Sequence, residues 1–473
     1  MSILMFVSMF VALGLFYLII GVSVSKKIST IKDYFLAGRD LGLGPLTFTL
    51  VATQIGGGML LGSADAAYRD GYFGIFYSVG MSVGFLLLGF GLASKLRQFE
   101  IVTTAQLFEL KYGSTFLRKV ASVISAVSMM GIFAAQVVAS RLLFNVLGIG
   151  NESFLILFWV FVIIYTVMGG LKAVVITDIF QVIFLVSIVS GVFVYSLFNG
   201  GISISSLGSA TANQAGFASF GSAFTKQLPV LLTAAIYPLF GQDLTQRFFA
   251  ARTKKIAALG AILAGVVIIG FAFVPVYFGM AAKIMNLTIP ANTSVFYSVI
   301  GALTNDFILA LVGCALIAAI TSTADSLLCG ISSNVVQDFG CLLPLGCEVE
   351  GAKRTLLVSK ITTLISGVIG VLIAYFSKDI LSVMCQSYGV LISALFVPVL
   401  FCLISKKLKK EAAFASLFAG AASFFLIKLL SLYGVYAASE LMLVVVPVAV
   451  SFVGYVFGAF IGQSQLDNLQ ENS

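Results

Sequence analysis

Between Ile3 and Val24 there is not one charged side chain, and comparable apolar runs recur along almost the whole chain. About 20 such residues in a helix cross the hydrocarbon of a bilayer. Inside lipid every backbone N–H and C=O must find an internal partner, so runs of this kind read as membrane helices. A soluble chain carries roughly a quarter charged residues, whereas here 60% are hydrophobic and 10% charged, with a mean hydropathy of +1.10. The chain reads as an all-α polytopic membrane protein with a single transmembrane domain and the lipid bilayer as its surroundings.

Apolar periodicity and length predict thirteen helices, at 3–24, 43–67, 71–94, 120–147, 153–170, 173–198, 224–247, 256–282, 305–336, 355–377, 380–405, 411–433 and 440–463. The first has no basic residues before it and is followed by Lys26 and Lys27, so it reads as a retained helix rather than a cleaved signal. The net charge of +8 resembles a signal for an anionic partner, but its distribution argues otherwise. With the N-terminus outside, 20 of the 27 Lys and Arg fall on the inner side, Arg247, Arg252 and the cluster Lys406, Lys407, Lys409, Lys410 among them. Only Arg69, Lys226, Lys283 and Lys378 fall outside, which predicts an inner C-terminus and no nucleic-acid partner. Short loops point to a bacterial inner membrane. The chain has no His, which weakens hydrolase, metalloprotease and haem readings. Cys341 and Cys347 share a reducing inner loop and make a poor zinc pair without His.

Two of the expected helices carry an interruption. In VATQIGGGMLLG, Val51 to Gly62, three consecutive glycines occupy the centre of a membrane run, each costing about 1 kcal/mol of helix propensity. Close helix packing needs only spaced small residues, so the run predicts a break more than a packing face. In AAIYPLFGQDL, Pro238 and Gly241 predict a second. Interrupted helices at corresponding places in two halves mark a secondary transporter with its site between them. Spacing then divides the chain into an extra helix (3–24), a five-helix repeat (43–198), a second repeat of opposite orientation (224–405) and two closing helices (411–463).

The ninth expected helix contains AAITSTADSLL, in which Ala319, Ser322, Thr323 and Ser326 share one face and Asp325 stands beside them. Hydroxyl, carboxylate and freed carbonyl oxygens suit a small hard cation. Interhelical hydrogen bonding is the plainer use of Ser and Thr, but a carboxylate at that depth marks a functional site. Asp178, in ITDIFQ, is a second such carboxylate, or else an interfacial helix-start group. Asp65, Arg69 and Asp70 read as outer-rim residues, and Arg141 as a snorkelling arginine or a contact for an anionic solute group.

Taken together, DYFLAGRDLG (Asp33 to Gly42), ATQI, TDIFQ, GQDLTQRFFAAR (Gly241 to Arg252) and AAITSTADS resemble the sodium:solute symporter family over nearly the whole chain. The resemblance implies the inverted five-helix-repeat fold of the bacterial leucine transporter and Na+ as coupling ion. It implies a principal sodium site from the carbonyls of Ala52, Ile55 and Ala319 and the hydroxyls of Ser322 and Thr323. A second cation site, present in some members, maps to Asp178, Ser322, Asp325 and Ser326, although two-ion members carry a hydroxyl where Asp325 stands. Substrate positions map to Gln54, Gly57, Tyr237, Gln386 and Tyr388, with Ser387 adjacent. Gln54 matches neither the aspartate of proline-type members nor the asparagine of sugar-type ones. The expectation is sodium-coupled import of a small organic solute by alternating access. The rivals are a proton-coupled carrier with Asp178 or Asp325 as relay, a transporter-like sensor, and, for want of a nucleophile–base pair, least of all an enzyme.

Overall fold

The structure is a computed structural model and describes residues 3–25, 28, 30–199, 202–203, 205–208, 218–290, 292–340, 349–377, 379–405, 408–435 and 438–471. The outer Lys378, the inner Lys26, Lys27, Lys406 and Lys407, and the Cys341/Cys347 pair lie outside them. Everything described is helix, turn or loop, apart from one isolated bridge between Leu41 and Ala251.

The helices fall where the apolar runs predict them. They are α1 (Ile3–Ser25), α2 (Leu43–Gln54, continued by Ser63–Asp70), α3 (Phe76–Leu87, continued by Ala93–Gln98), α4 (Thr115–Val146), and α5 with α6, the two arms of Glu152–Asn199. Then follow α7 (Phe220–Ile236, continued by Gln242–Ala250), α8 (Lys254–Phe271, continued by Phe273–Ile284), α9 (Asp306–Phe339), α10 (Val349–Tyr375), α11 (Ile380–Ile404), α12 (Lys410–Leu432) and α13 (Met442–Glu471). By length and apolarity these form eleven continuous segments. Two of them, at 41 and 48 residues, are too long for one crossing at about 1.5 Å per residue. The chain turns inside each, at Gly71 (φ 64°) and Gly170 (φ 53°). Gly170 is required there twice over: its φ suits glycine, and a Cβ would come within 2.7 Å of the Tyr34 ring.

Polar caps open four of the helices. Ser114, Thr253, Asn305 and Asp379 each accept a backbone N–H of the first turn of α4, α8, α9 and α11. Two short helices the apolar pattern left as loops, Gln106–Tyr112 and Val295–Leu303, cover the bundle ends, and α13 runs eight residues past its expected limit.

Burial sorts the helices into two shells. In α9, 78% of the apolar window is buried, against 22–28% in α1, α10, α12 and α13. The helix with the predicted polar face therefore sits at the centre, packed by α1, α4, α5–α6 and α10, while the peripheral helices present Leu, Ile, Val and Phe to lipid. The bridge from Leu41 to the end of α7 ties the start of one broken helix to the end of the other, with Leu41 N–H bonded to Ala250 O (3.1 Å) and Arg252 N–H to Leu41 O (2.9 Å).

Candidate functional site

The first half of α2 ends at Gln54, and Ile55 leaves helical geometry (φ −80°, ψ 62°). A π turn, Gly58–Gly62, restarts the helix. The glycines allow the break and also a close approach on three sides. A Cβ on Gly56 would overlap Thr323 Oγ1, one on Gly57 would stand 2.5 Å from Ala139 Cβ, and one on Gly58 would overlap Met384 Sδ. Packing, the use set second in reading the sequence, is thus served by all three as well.

Against this break lies the polar face of α9. Ser322 Oγ is 2.9 Å from the carbonyls of both Ala52 and Ala319, and Thr323 Oγ1 is 2.9 Å from Thr53 O and 3.3 Å from Ala319 O. Three carbonyl oxygens and two hydroxyl oxygens thus share two hydroxyl protons, which makes the cluster rich in acceptors. The negative end of the α2 half-helix dipole adds to it. The carbonyl that meets Thr323 is that of Thr53. Ile55 is buried beside it, its N–H bonded to Val51 O. Among the described residues no three His, Cys, Asp or Glu gather as a metal cluster, so a cation here would depend on neutral oxygens.

The second set does not converge in the same way. Asp178 Oδ2 accepts from Thr49 Oγ1 at 2.5 Å and from Arg247 Nη2 at 3.3 Å, and Arg247 Nη2 is 2.5 Å from Ser326 Oγ. The guanidinium also bonds Thr49 Oγ1 through Nε (2.8 Å) and the Asp243 carbonyl through Nη1. Between Asp178 and Ser326, then, the charge present is Arg247. Asp325 faces elsewhere, its carboxylate taking the hydroxyls of Tyr165 and, at 2.5 Å, Thr166. Asp178 Oδ1 is buried without a hydrogen-bond partner.

Arg247 corrects the sequence reading. Counted there among inner-loop charges, it is fully buried in the second half of α7, because the chain remains helical through Ala250 and the ion pair with Asp178 compensates the burial.

A small cavity opens between the two breaks, walled by Gln54, Gln136, Tyr77, Tyr237, Met384 and Tyr388, among others. It leaves about 10 Å³ to the centre of a water-sized sphere, roughly the room of one water. Tyr237 packs against Tyr388 with the rings tilted by 32° (centroids 4.2 Å apart) and donates to Asp243 Oδ1 at 2.6 Å, while the hydroxyls of Tyr77 and Tyr388 meet at 3.2 Å. Gly57 gives its N–H to Gln136 Oε1 at 3.0 Å. Gln386 stands apart, bonded to Ser382 one turn back, and Met384 faces the cavity in its place. Arg141 is also apart, over the Tyr375 ring and within 3.4 Å of Ala374 O at the end of α10.

The model of the sodium:solute symporter family matches residues 34–420. The chain belongs to that family. Relatives of this symporter include a sodium/proline symporter of Haemophilus influenzae, 27% identical over 437 residues (86% of this chain, 85% of the relative), and one of Staphylococcus aureus, 24% identical (86% and 82%). Among solved structures it is similar to a Na+-coupled sialic acid symporter in a substrate-bound outward-open state, with TM-score 0.76, 18% identity and coverage of 96% and 98%. A nucleobase-cation-symport-1 family transporter follows at TM-score 0.60 and 11% identity, covering 91% and 95%. The symporter thus has the leucine-transporter-type fold, with multiple membrane crossings, that its motifs imply.

Several residues now in view escaped the sequence reading. Thr49, Thr53, Gln136, Tyr165 and Thr166 are polar residues in apolar helices with partners on other helices, while Asp243 meets Tyr237 of its own α7. Arg247 had a signal, its i+4 spacing from Asp243 within GQDLTQR.

Proposed function

We propose that this symporter imports a small organic solute with sodium by alternating access. The observation that carries the reading is the acceptor-rich cluster where Ser322 Oγ lies 2.9 Å from both Ala52 O and Ala319 O. Sodium in that cluster would take the oxygens of Ala52, Thr53, Ala319, Ser322 and Thr323, with Ile55 O freed at the same break. It would draw the break of α2 against α9, and by linkage the solute and the ion each favour the other's binding. Arg247 supplies the positive charge between Asp178 and Ser326, which favours one sodium per cycle.

Gln54, Gly57, Tyr237 and Tyr388 are the proposed solute wall. The repeats are assigned to 43–198 and 224–405, with 3–24 before them and 411–463 behind. The distribution of Lys and Arg supports an outer N-terminus, and the bacterial relatives support a bacterial plasma membrane.

The test is uptake into proteoliposomes under an imposed sodium gradient, with labelled L-proline tried first because curated relatives are named for it, followed by other amino acids, sugars and carboxylates. Sodium-driven accumulation that persists with a protonophore is the expected result. Uptake that ignores sodium and collapses with the protonophore would transfer the coupling role to a proton on Asp178 or Asp325.

A further inference from the structure

We infer that Gln136 reads the solute, donating a hydrogen bond to the carboxylate of a small zwitterionic amino or imino acid. The inference rests on the symport reading above and names its solute class. Gln136 lies on α4, wholly buried, with its side chain on the cavity wall. Its Oε1 accepts the Gly57 N–H at 3.0 Å. A backbone N–H can meet only the oxygen end of an amide, so this bond decides which way the group faces. Nε2, with two protons, is then left buried with no hydrogen-bond partner.

Buried donors are seldom left unpaired, and each one invites an explanation. Here the explanation is the cavity, whose wall the Gln136 and Gln54 amides share. Tyr237 donates to Asp243, and Tyr77 and Tyr388 share one hydrogen bond, which leaves Gln136 Nε2 as the fully buried donor without a partner on this wall. The donor therefore calls for an acceptor oxygen on whatever enters. Charge narrows the class further: the wall includes the carboxylate of Asp243 and no Lys or Arg. A net anion would meet no countercharge, whereas a zwitterion brings its own cation. Gly57 also belongs to the unwound stretch whose Ala52 and Thr53 carbonyls meet Ser322 and Thr323. A solute oxygen on Gln136 and a cation on those carbonyls would hold the two ends of one short segment, a physical route for coupling.

The experiment is thermal unfolding of the full-length purified protein in sodium chloride and in choline chloride, with each of the twenty protein amino acids as probe. Every amino acid that raises the melting temperature is then compared with its decarboxylated amine, such as pyrrolidine for L-proline. At least one amino acid should stabilise, and its amine should not. Gln136→Glu keeps an oxygen for Gly57 and replaces the donor, so the apparent affinity for that amino acid should fall by about tenfold or more, while the sodium-induced rise remains. Gln136→Met, which also lacks the donor, repeats the readout if the Glu variant does not fold. The inference is overturned if sodium stabilises but no amino acid does, if the amine acts as well as its parent, or if Gln136→Glu responds at full strength. An amino-acid response present in choline and lost in Gln136→Glu, with no effect of sodium, would uphold this inference and sink the sodium reading instead.

Discussion

The two helix breaks occupy corresponding places in the fold but satisfy their backbones in opposite ways. At the break of α2 the exposed groups turn outward to other helices: carbonyls to Ser322 and Thr323, the Gly57 N–H to Gln136. At the break of α7 they turn inward. Gly241 N–H bonds Tyr237 O at 2.9 Å, the Tyr237 ring covers Gly241 so that a Cβ there would lie 2.7 Å from it, and the Tyr237 hydroxyl closes onto Asp243. The following half-helix is pinned by Gln242 to Thr104, Val102 and Ser333, by Gln246 to Phe35 O, and by Arg247 to Asp178. One break therefore depends on partners that a ligand can replace, and the other is complete in itself. An ion or solute can change the first cheaply, while the second serves as its anchor.

If the second break is the anchor, its ion pair should carry the largest stability effect. Arg247→Met leaves Asp178 buried and uncompensated and should cost about 3–5 kcal/mol, measured by loss of folded yield and melting temperature. Adding Asp178→Leu should restore much of the loss; failure to do so would place Arg247's role elsewhere. The breaks should next separate by readout. Gly56→Ala drives a Cβ into Thr323 and should weaken apparent sodium affinity by about tenfold or more, roughly 1.4 kcal/mol. Gly241→Ala should lower stability and transport rate with sodium affinity kept, and equal sodium effects from both would erase the distinction.

Comparable in size is Tyr237→Phe, which removes one hydrogen bond to a buried carboxylate, about 1–3 kcal/mol of melting stability, with the sodium response intact. The smallest effect belongs to the rim that joins the two broken helices. Arg252 pairs with Asp40 at 2.5 Å and holds its carboxyl below the usual carboxylate range. A depressed pKa contributes stability above the ordinary carboxylate range and loses it only as pH falls through that range. Asp40→Asn should therefore lower melting only slightly, as expected for an exposed pair, and by the same amount at pH 8 and at pH 6.

What was legible in the sequence follows the range of the interactions. The helices, both breaks and the shared face of Ser322 and Thr323 are local patterns of apolarity, glycine, proline and i, i+3, i+4 spacing, and they lie where those patterns put them. Gly170 closes one helix ahead of the next where the sequence places that boundary: its φ of 53° and ψ of −165° lie outside helical geometry and turn the chain. Gln136 and Gly57 are 79 residues apart and meet only in the fold. Asp325 shares a helix with Ser322, yet its carboxylate belongs to Tyr165 and Thr166, a choice made by the helix facing it. Arg247 was misplaced because a charge at the edge of an apolar run resembles a loop residue until its partner, Asp178, is known.

The account's central claim is that the outward-facing break of α2 and the hydroxyls of α9 hold sodium before any solute binds. Equilibrium binding of radioactive sodium to the purified protein without added solute, for wild type and Ser322→Ala, tests this directly. The account predicts saturable binding of one ion per chain in the wild type, lost in Ser322→Ala while both proteins remain folded. Undiminished binding in Ser322→Ala, or none in the wild type, would contradict it.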